Sequence, residues 1–158
     1  MTKIWMIAGT AALLTGLAGL TAAQMKAEPV PGLLPYEDTA RVARGEALYE
    51  QNCASCHGTD LAGEPDWRER DAAGYLPAPP HDETGHTWHH PDEMLVEIVT
   101  RGTEAMVGGD YRSNMMGFGE TMTEDQILDV LAYIKSTWPA EVVEIHNDIN
   151  ARAAAFED

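Results

Sequence analysis

The sequence predicts an all-α domain whose few helices are joined by long, irregular loops. Three observations point that way. Alternation of β-branched and polar residues is nearly absent after residue 23. Apolar residues instead recur three and four positions apart in several stretches. Between those stretches glycine and proline are frequent, 14 and 9 among 158 residues, which breaks regular structure into short pieces.

Residues 1–23 have the form of a secretory signal peptide. Lys3 supplies a positive start, 17 uncharged residues run from Ile4 to Leu20, and Ala23 closes a small-residue cleavage site. An uncleaved anchor is the alternative, because the stretch nears the length that crosses a bilayer. Gly9, Thr10, Thr15, Gly16 and Gly19 dilute it. On either reading the folded part is expected on the far side of the cytoplasmic membrane, in the periplasm, with membrane contact only if the leader stays.

Residues 24–38, with Pro29, Pro31 and Pro35, read as an extended linker. A first helix is expected from about Thr39 to Asn52, with Thr39 as its cap and Val42, Leu48 and Tyr49 as apolar positions. Gly58 to Pro80 is loop, ending in Leu76-Pro77-Ala78-Pro79-Pro80. A second helix starts near Pro91, where proline's missing N–H costs nothing. It carries Met94, Leu95, Ile98 and Val99 on one face and stops at Gly102. A glycine-rich loop then spans Gly102 to Met122. The third helix has the clearest signals: Thr123 and Gln126 form a capping box, and Ile127, Val130, Leu131 and Ile134 make an apolar face up to Pro139. Residues 39–139 thus make one domain, and 140–158 a helical tail built on Val142, Ile145 and Ile149.

Ten Lys and Arg stand against 26 Asp and Glu, a net charge of −16. Nucleic-acid binding needs a basic footprint, and there is none. The charge would steer the protein toward basic or neutral docking faces.

Both cysteines lie in Cys53-Ala54-Ser55-Cys56-His57. Cys-x-x-Cys-His is the attachment sequence of c-type haem. Two thiols three positions apart reach the two vinyl groups of one porphyrin, and the adjacent histidine offers its imidazole to the iron. A thioredoxin-like dithiol would need a βαβ setting that the sequence lacks. A zinc site through His86 and His90 would leave a gap from Cys56 about twice that of a zinc finger.

From Arg44 to Pro139 the chain resembles class I cytochromes c. Gly45-Glu-Ala-Leu-Tyr49-Glu-Gln-Asn-Cys53-Ala-Ser-Cys56-His57-Gly58 is similar to that family's first helix and haem motif. Met115-Met116-Gly117-Phe118-Gly119, followed by Val130-Leu-Ala-Tyr133-Ile-Lys-Ser-Thr-Trp138-Pro139, is similar to its distal loop and last helix. The resemblance implies a small helical cytochrome c fold wrapped around one covalent haem c. Its first and last helices would cross at Gly45 and Tyr49 on one side and Val130 and Tyr133 on the other. It also implies a methionine opposite His57 on the iron. Aligning Phe118 with the family's Met-Pro-x-Phe places Met115 at the ligand position. Met116 then stands where proline is common, and is the competitor. Met94 reads as core, and Met106 and Met122 as pocket or loop fillers.

Four histidines, His81, His86, His89 and His90, crowd the segment before the second helix. They are expected to face water while Trp88 covers the haem. A distal haem ligand or a copper or zinc site is the alternative. Pro79 or Pro80 is expected to offer a carbonyl to the Nδ1–H of His57. The function implied is one-electron transfer with redox protein partners, membrane complexes or exported oxidoreductases, and no catalytic residues. The alternatives are a haem enzyme or gas- or peroxide-binding protein with an open iron, and a methionine- and histidine-based copper carrier.

Overall fold

The computed structural model describes residues 32–156. The expected leader, residues 1–23, and the first part of the expected linker lie outside them. Among the described residues there are helices and loops but no strand, the one ladder contact being an isolated bridge between Gly102 and Met116. No helix among them is long and apolar enough to cross a membrane.

Helix α1, Thr39–Asn52, is capped one residue earlier than expected. Asp38, not Thr39, accepts from the N–H groups of Ala40 and Arg41. Its backbone is extended, and its carboxylate satisfies donors that the first turn leaves bare. At the other end α1 passes through Cys53 into α2, Ala54–His57. A 3-10 turn, Thr87–His89, precedes α3, Asp92–Arg101. Asp92 and Glu93 in its first turn complement the helix dipole. The loop expected after Gly102 contains a further short helix, α4, Thr103–Val107. Helix α5, Glu124–Ser136, opens on the expected reciprocal capping box of Thr123 and Gln126. Helix α6 runs Ala140–Ala154.

The crossing of α1 and α5 organises the core. A Cβ on Gly45 would collide with the carbonyl of Asp129, so only glycine admits this approach. One turn on, the rings of Tyr49 and Tyr133 meet at 5.4 Å. Tyr49, Leu61, Leu95, Ile127, Val130 and Trp138 are among the buried apolar side chains around it. Asp129, itself buried, takes Arg41 and Arg44 of α1 as ion partners and ties the polar edge of the crossing.

Two expectations are corrected here. Met94 is 42% exposed, not core; Leu95 fills the inward position beside it. In α6 the inward stripe is His146, Asn147 and Asn150, one position on from the expected Ile145 and Ile149, and Ile145 is 40% exposed. The reason is what α6 covers. Lys135 of α5 is fully buried and donates to Asn147 Oδ1 at 2.7 Å; His146 Nε2 donates to the carbonyl of His90 at 3.0 Å. Asn150 Oδ1 accepts from the N–H of Asp92 at 2.9 Å. Buried polar groups need partners, and α6 supplies them. The last part of the expected linker is also packed: Leu34 is buried and its N–H donates to Asp92 Oδ2 at 3.2 Å.

Candidate functional site

The site grows from the end of α1. Cys53 closes that helix by donating its N–H to Tyr49 O at 2.8 Å, and its carbonyl accepts from Cys56 and His57 at 3.1 and 3.0 Å. One turn therefore carries both thiols and the imidazole. Gly58 ends it with φ 78°, and Tyr49 Oη donates to the Gly58 carbonyl at 2.9 Å, fixing the turn to the core. Cys56 is exposed and Cys53 partly buried; neither is in a disulfide. Burial, helped by Cys56, pushes the Cys53 thiol up to about 11. A redox dithiol needs the opposite shift, toward thiolate.

His57 is 6% exposed, and its Nδ1 donates to the carbonyl of Pro79 at 2.9 Å. Pro79, not Pro80, is the partner. Two loop strips set that carbonyl in place: Glu64 N–H donates to Ala78 O, and His81 N–H to Leu61 O. Gly63, at φ 68°, lies against Ala78 and Pro79 with no room for a Cβ. Burial lowers the pKa of His57 against the opposing pull of the Pro79 bond. The imidazole is thus neutral, its proton on Nδ1 and its Nε2 lone pair uncommitted. That is the form in which histidine ligates a metal.

Of the four crowded histidines, His86 and His89 are exposed as expected. His81 is not a solvent-facing residue. Its ring stacks on that of His57, centroids 4.0 Å apart with 24° between planes. Trp88 stacks on His89 at 3.7 Å, and its Nε1 donates to Glu83 O. Among the described residues no group of three or more His, Cys, Asp or Glu side chains stands together.

The methionine loop runs along the C-terminal end of α3. Phe118 N–H donates to Val99 O at 2.8 Å, Gly119 N–H to Thr100 O at 3.0 Å, and Met115 O accepts from Thr103 N–H at 3.3 Å. These bonds, with the close approach of Gly102 and Gly117, supply the stiffness that proline at 116 would have given. Met115 is partly buried, whereas Met116 is 68% exposed.

Residues 42–138 match the family model for cytochrome c. The chain belongs to the cytochrome c family. It is 26% identical over 96 residues to the cbb3-type cytochrome c oxidase subunit FixP of Sinorhizobium medicae (strain WSM419), covering 60% of this chain and 29% of that protein. It is 36% identical over 67 residues to the cbb3-type cytochrome c oxidase subunit CcoP of Azospirillum sp. (strain B510), covering 41% and 21%. The cytochrome thus spans less than a third of these relatives. No solved structure matches it significantly.

Membership implies covalently bound haem c with its iron. The residues present fit that group: two thiols and a neutral, Nδ1-anchored imidazole on a single helical turn. Sequence reasoning missed the contact of His81 with His57 and the bond from Trp138 Nε1 to His81 O at 2.7 Å. Neither has a periodicity signal, because both join loop residues to partners far along the chain.

Proposed function

We propose that this cytochrome is an exported one-electron carrier. In this reading Cys53 and Cys56 form the thioethers to haem c, His57 is the proximal iron ligand and Met115 the distal one. The haem supplies an iron that alternates between ferric and ferrous states. The chain holds that iron in a low-dielectric site, fixes its imidazole ligand and offers a soft thioether, which favours the ferrous state and raises the potential. The observation that carries the reading is the single turn that presents Cys53, Cys56 and a His57 tied by Nδ1 to Pro79.

Residues 39–139 would be the functional domain, with 140–158 an accessory helix and 1–23 an export signal, cleaved or kept as an anchor. The relatives named as cbb3-type oxidase subunits support redox complexes as the class of partner. The net charge of −16 favours partners with basic faces.

Acidified organic extraction of the natively expressed protein tests the attachment: the colour stays with the polypeptide. A redox titration should then follow a one-electron curve, and the protein should be recovered from the periplasmic fraction. Haem that extracts freely, or ferric protein that turns over peroxide at a substantial rate, would overturn the reading.

A further inference from the structure

We propose that His81 is a positioning residue for the proximal ligand, its imidazole acting as a flat wall that holds the plane of the His57 ring. The inference rests on the reading of His57 as the iron ligand, and goes beyond it by assigning a role to a side chain outside the attachment motif.

A histidine on iron keeps one soft rotation, the turning of its plane about the bond to the metal. The bond from Nδ1 to the Pro79 carbonyl anchors one edge of the His57 ring. An edge-anchored ring still pivots about that line. His81 lies across the pivot, centroids 4.0 Å apart and planes 24° from parallel, so rotation of His57 drives its face into the second ring. At this separation the rings are already in van der Waals contact.

The wall is itself held on several sides. His81 Nδ1 is 2.8 Å from Thr87 Oγ1, and Thr87 is buried. The His81 N–H donates to Leu61 O at 2.7 Å, and its carbonyl accepts from Trp138 Nε1 at 2.7 Å. Tyr49 presents its ring edge-on at 6.2 Å. The backbone bonds place residue 81, and the Nδ1 bond to Thr87 sets the ring itself; a side chain that only filled space would not need that last bond, and an aliphatic one would fill the space more cheaply. The anchors fix both the position and the tilt of the imidazole. Rigid support behind a ligating group is what pre-organises it.

The plane of the proximal ring sets which iron d orbital meets the ligand π system. The anisotropy of the ferric iron therefore reads His81 directly. The experiment compares the haem-loaded wild type with His81→Leu, His81→Phe and Thr87→Val. Its readouts are the ferric electron paramagnetic resonance spectrum and the spread of the hyperfine-shifted haem methyl resonances. Expected are a shift and broadening of the largest g feature in His81→Leu, a return toward the wild-type linewidth in His81→Phe, which restores a flat face, and an intermediate change in Thr87→Val. A wild-type spectrum in His81→Leu overturns the proposal, as do equal changes in the Leu and Phe variants. Should the Leu variant fail to fold, Thr87→Val decides, since it leaves the ring and removes its tether; an unchanged spectrum there overturns the proposal. Histidine labelled with 15N separates the two levels. Loss of a strongly coupled histidine nitrogen in the wild type sinks the ligand reading and this inference together, whereas its presence beside an unresponsive Leu variant sinks this inference alone.

Discussion

Gly45 of α1 lies directly against the backbone carbonyl of Asp129 in α5, in the space that any other residue would fill with its Cβ. Gly45→Ala should therefore destabilise, although alanine is worth about 1 kcal/mol more than glycine inside a helix. Overpacking of this kind costs roughly 1–3 kcal/mol, and the obstacle is backbone rather than a side chain that could move. The thermal midpoint of the haem-loaded variant should fall. A midpoint at or above the wild type would mean that the two helices part freely.

Asp129 is buried between two arginines of unequal standing. Arg41 is mostly covered and its guanidinium is held above its ordinary pKa chiefly by the hydrogen bond to Asp129, whereas the Arg44 side chain is 58% exposed. Asp129→Ala should cost about 1–3 kcal/mol, the scale of a lost charge-assisted bond with a covered partner. Arg44→Ala should cost less than about 1 kcal/mol, as exposed pairs do. Denaturant midpoints measure both, and equal losses would refute the ranking.

The His146 imidazole is fully buried between Asp92 Oδ1, 3.4 Å away, and the His90 carbonyl. Burial first, then the Lys135 ammonium, hold its pKa below the ordinary value, with Asp92 and the His90 bond opposing. The unfolded chain then takes up a proton near pH 6.5 while the folded chain does not. Stability is full above that pH and falls as pH drops toward the folded pKa, by up to about 1.4 kcal/mol per unit. His146→Gln should flatten this slope, leaving what His81, His86 and His90 contribute through their own depressed pKa values. Thermal midpoints at several pH values between neutral and mildly acid check it; an unchanged slope would remove His146 from the account.

Met115 and Met116 divide sharply in exposure, and the iron should tell them apart. Met115→Ala is expected to lose the ferric charge-transfer band of methionine–iron ligation, lower the reduction potential and admit carbon monoxide. Met116→Ala should keep all three at wild-type values. Reversed outcomes would assign the iron to Met116.

Where local chemistry fixes structure, the sequence was readable. The bounds of α1, the Thr123–Gln126 capping box and the apolar face of α5 follow from turn-by-turn preferences that no distant contact overrides. The attachment motif was legible for the same reason, all its residues sharing one turn. The helix over Ala140–Ala154 is as expected, but its inward face differs because the buried stripe is polar: hydrophobic spacing selects Ile145 and Ile149, while the buried groups of Lys135 and Asp92 select Asn147, Asn150 and His146. Asp38 displaced Thr39 as cap because a carboxylate one residue earlier reached two N–H groups first. Nothing in the neighbours of His81 reveals that Leu61 and Trp138 turn its backbone inward, so its sequence context groups it with the water-facing histidines.

The double use of Asp92 has a mechanical consequence. Its carboxylate holds the N–H of Leu34, and its own N–H is held by Asn150, so both ends of the described chain are moored to the first residue of α3. A pull on either end reaches Asp92, and α6 is held besides through Asn147 to Lys135 and through His146 to the His90 carbonyl. Met115 and Phe118 are secured at the opposite end of α3, through Thr103 and Val99. The ten residues between span about 15 Å of helix. Tension entering at Asp92 would have to travel that rod before it reached the methionine loop.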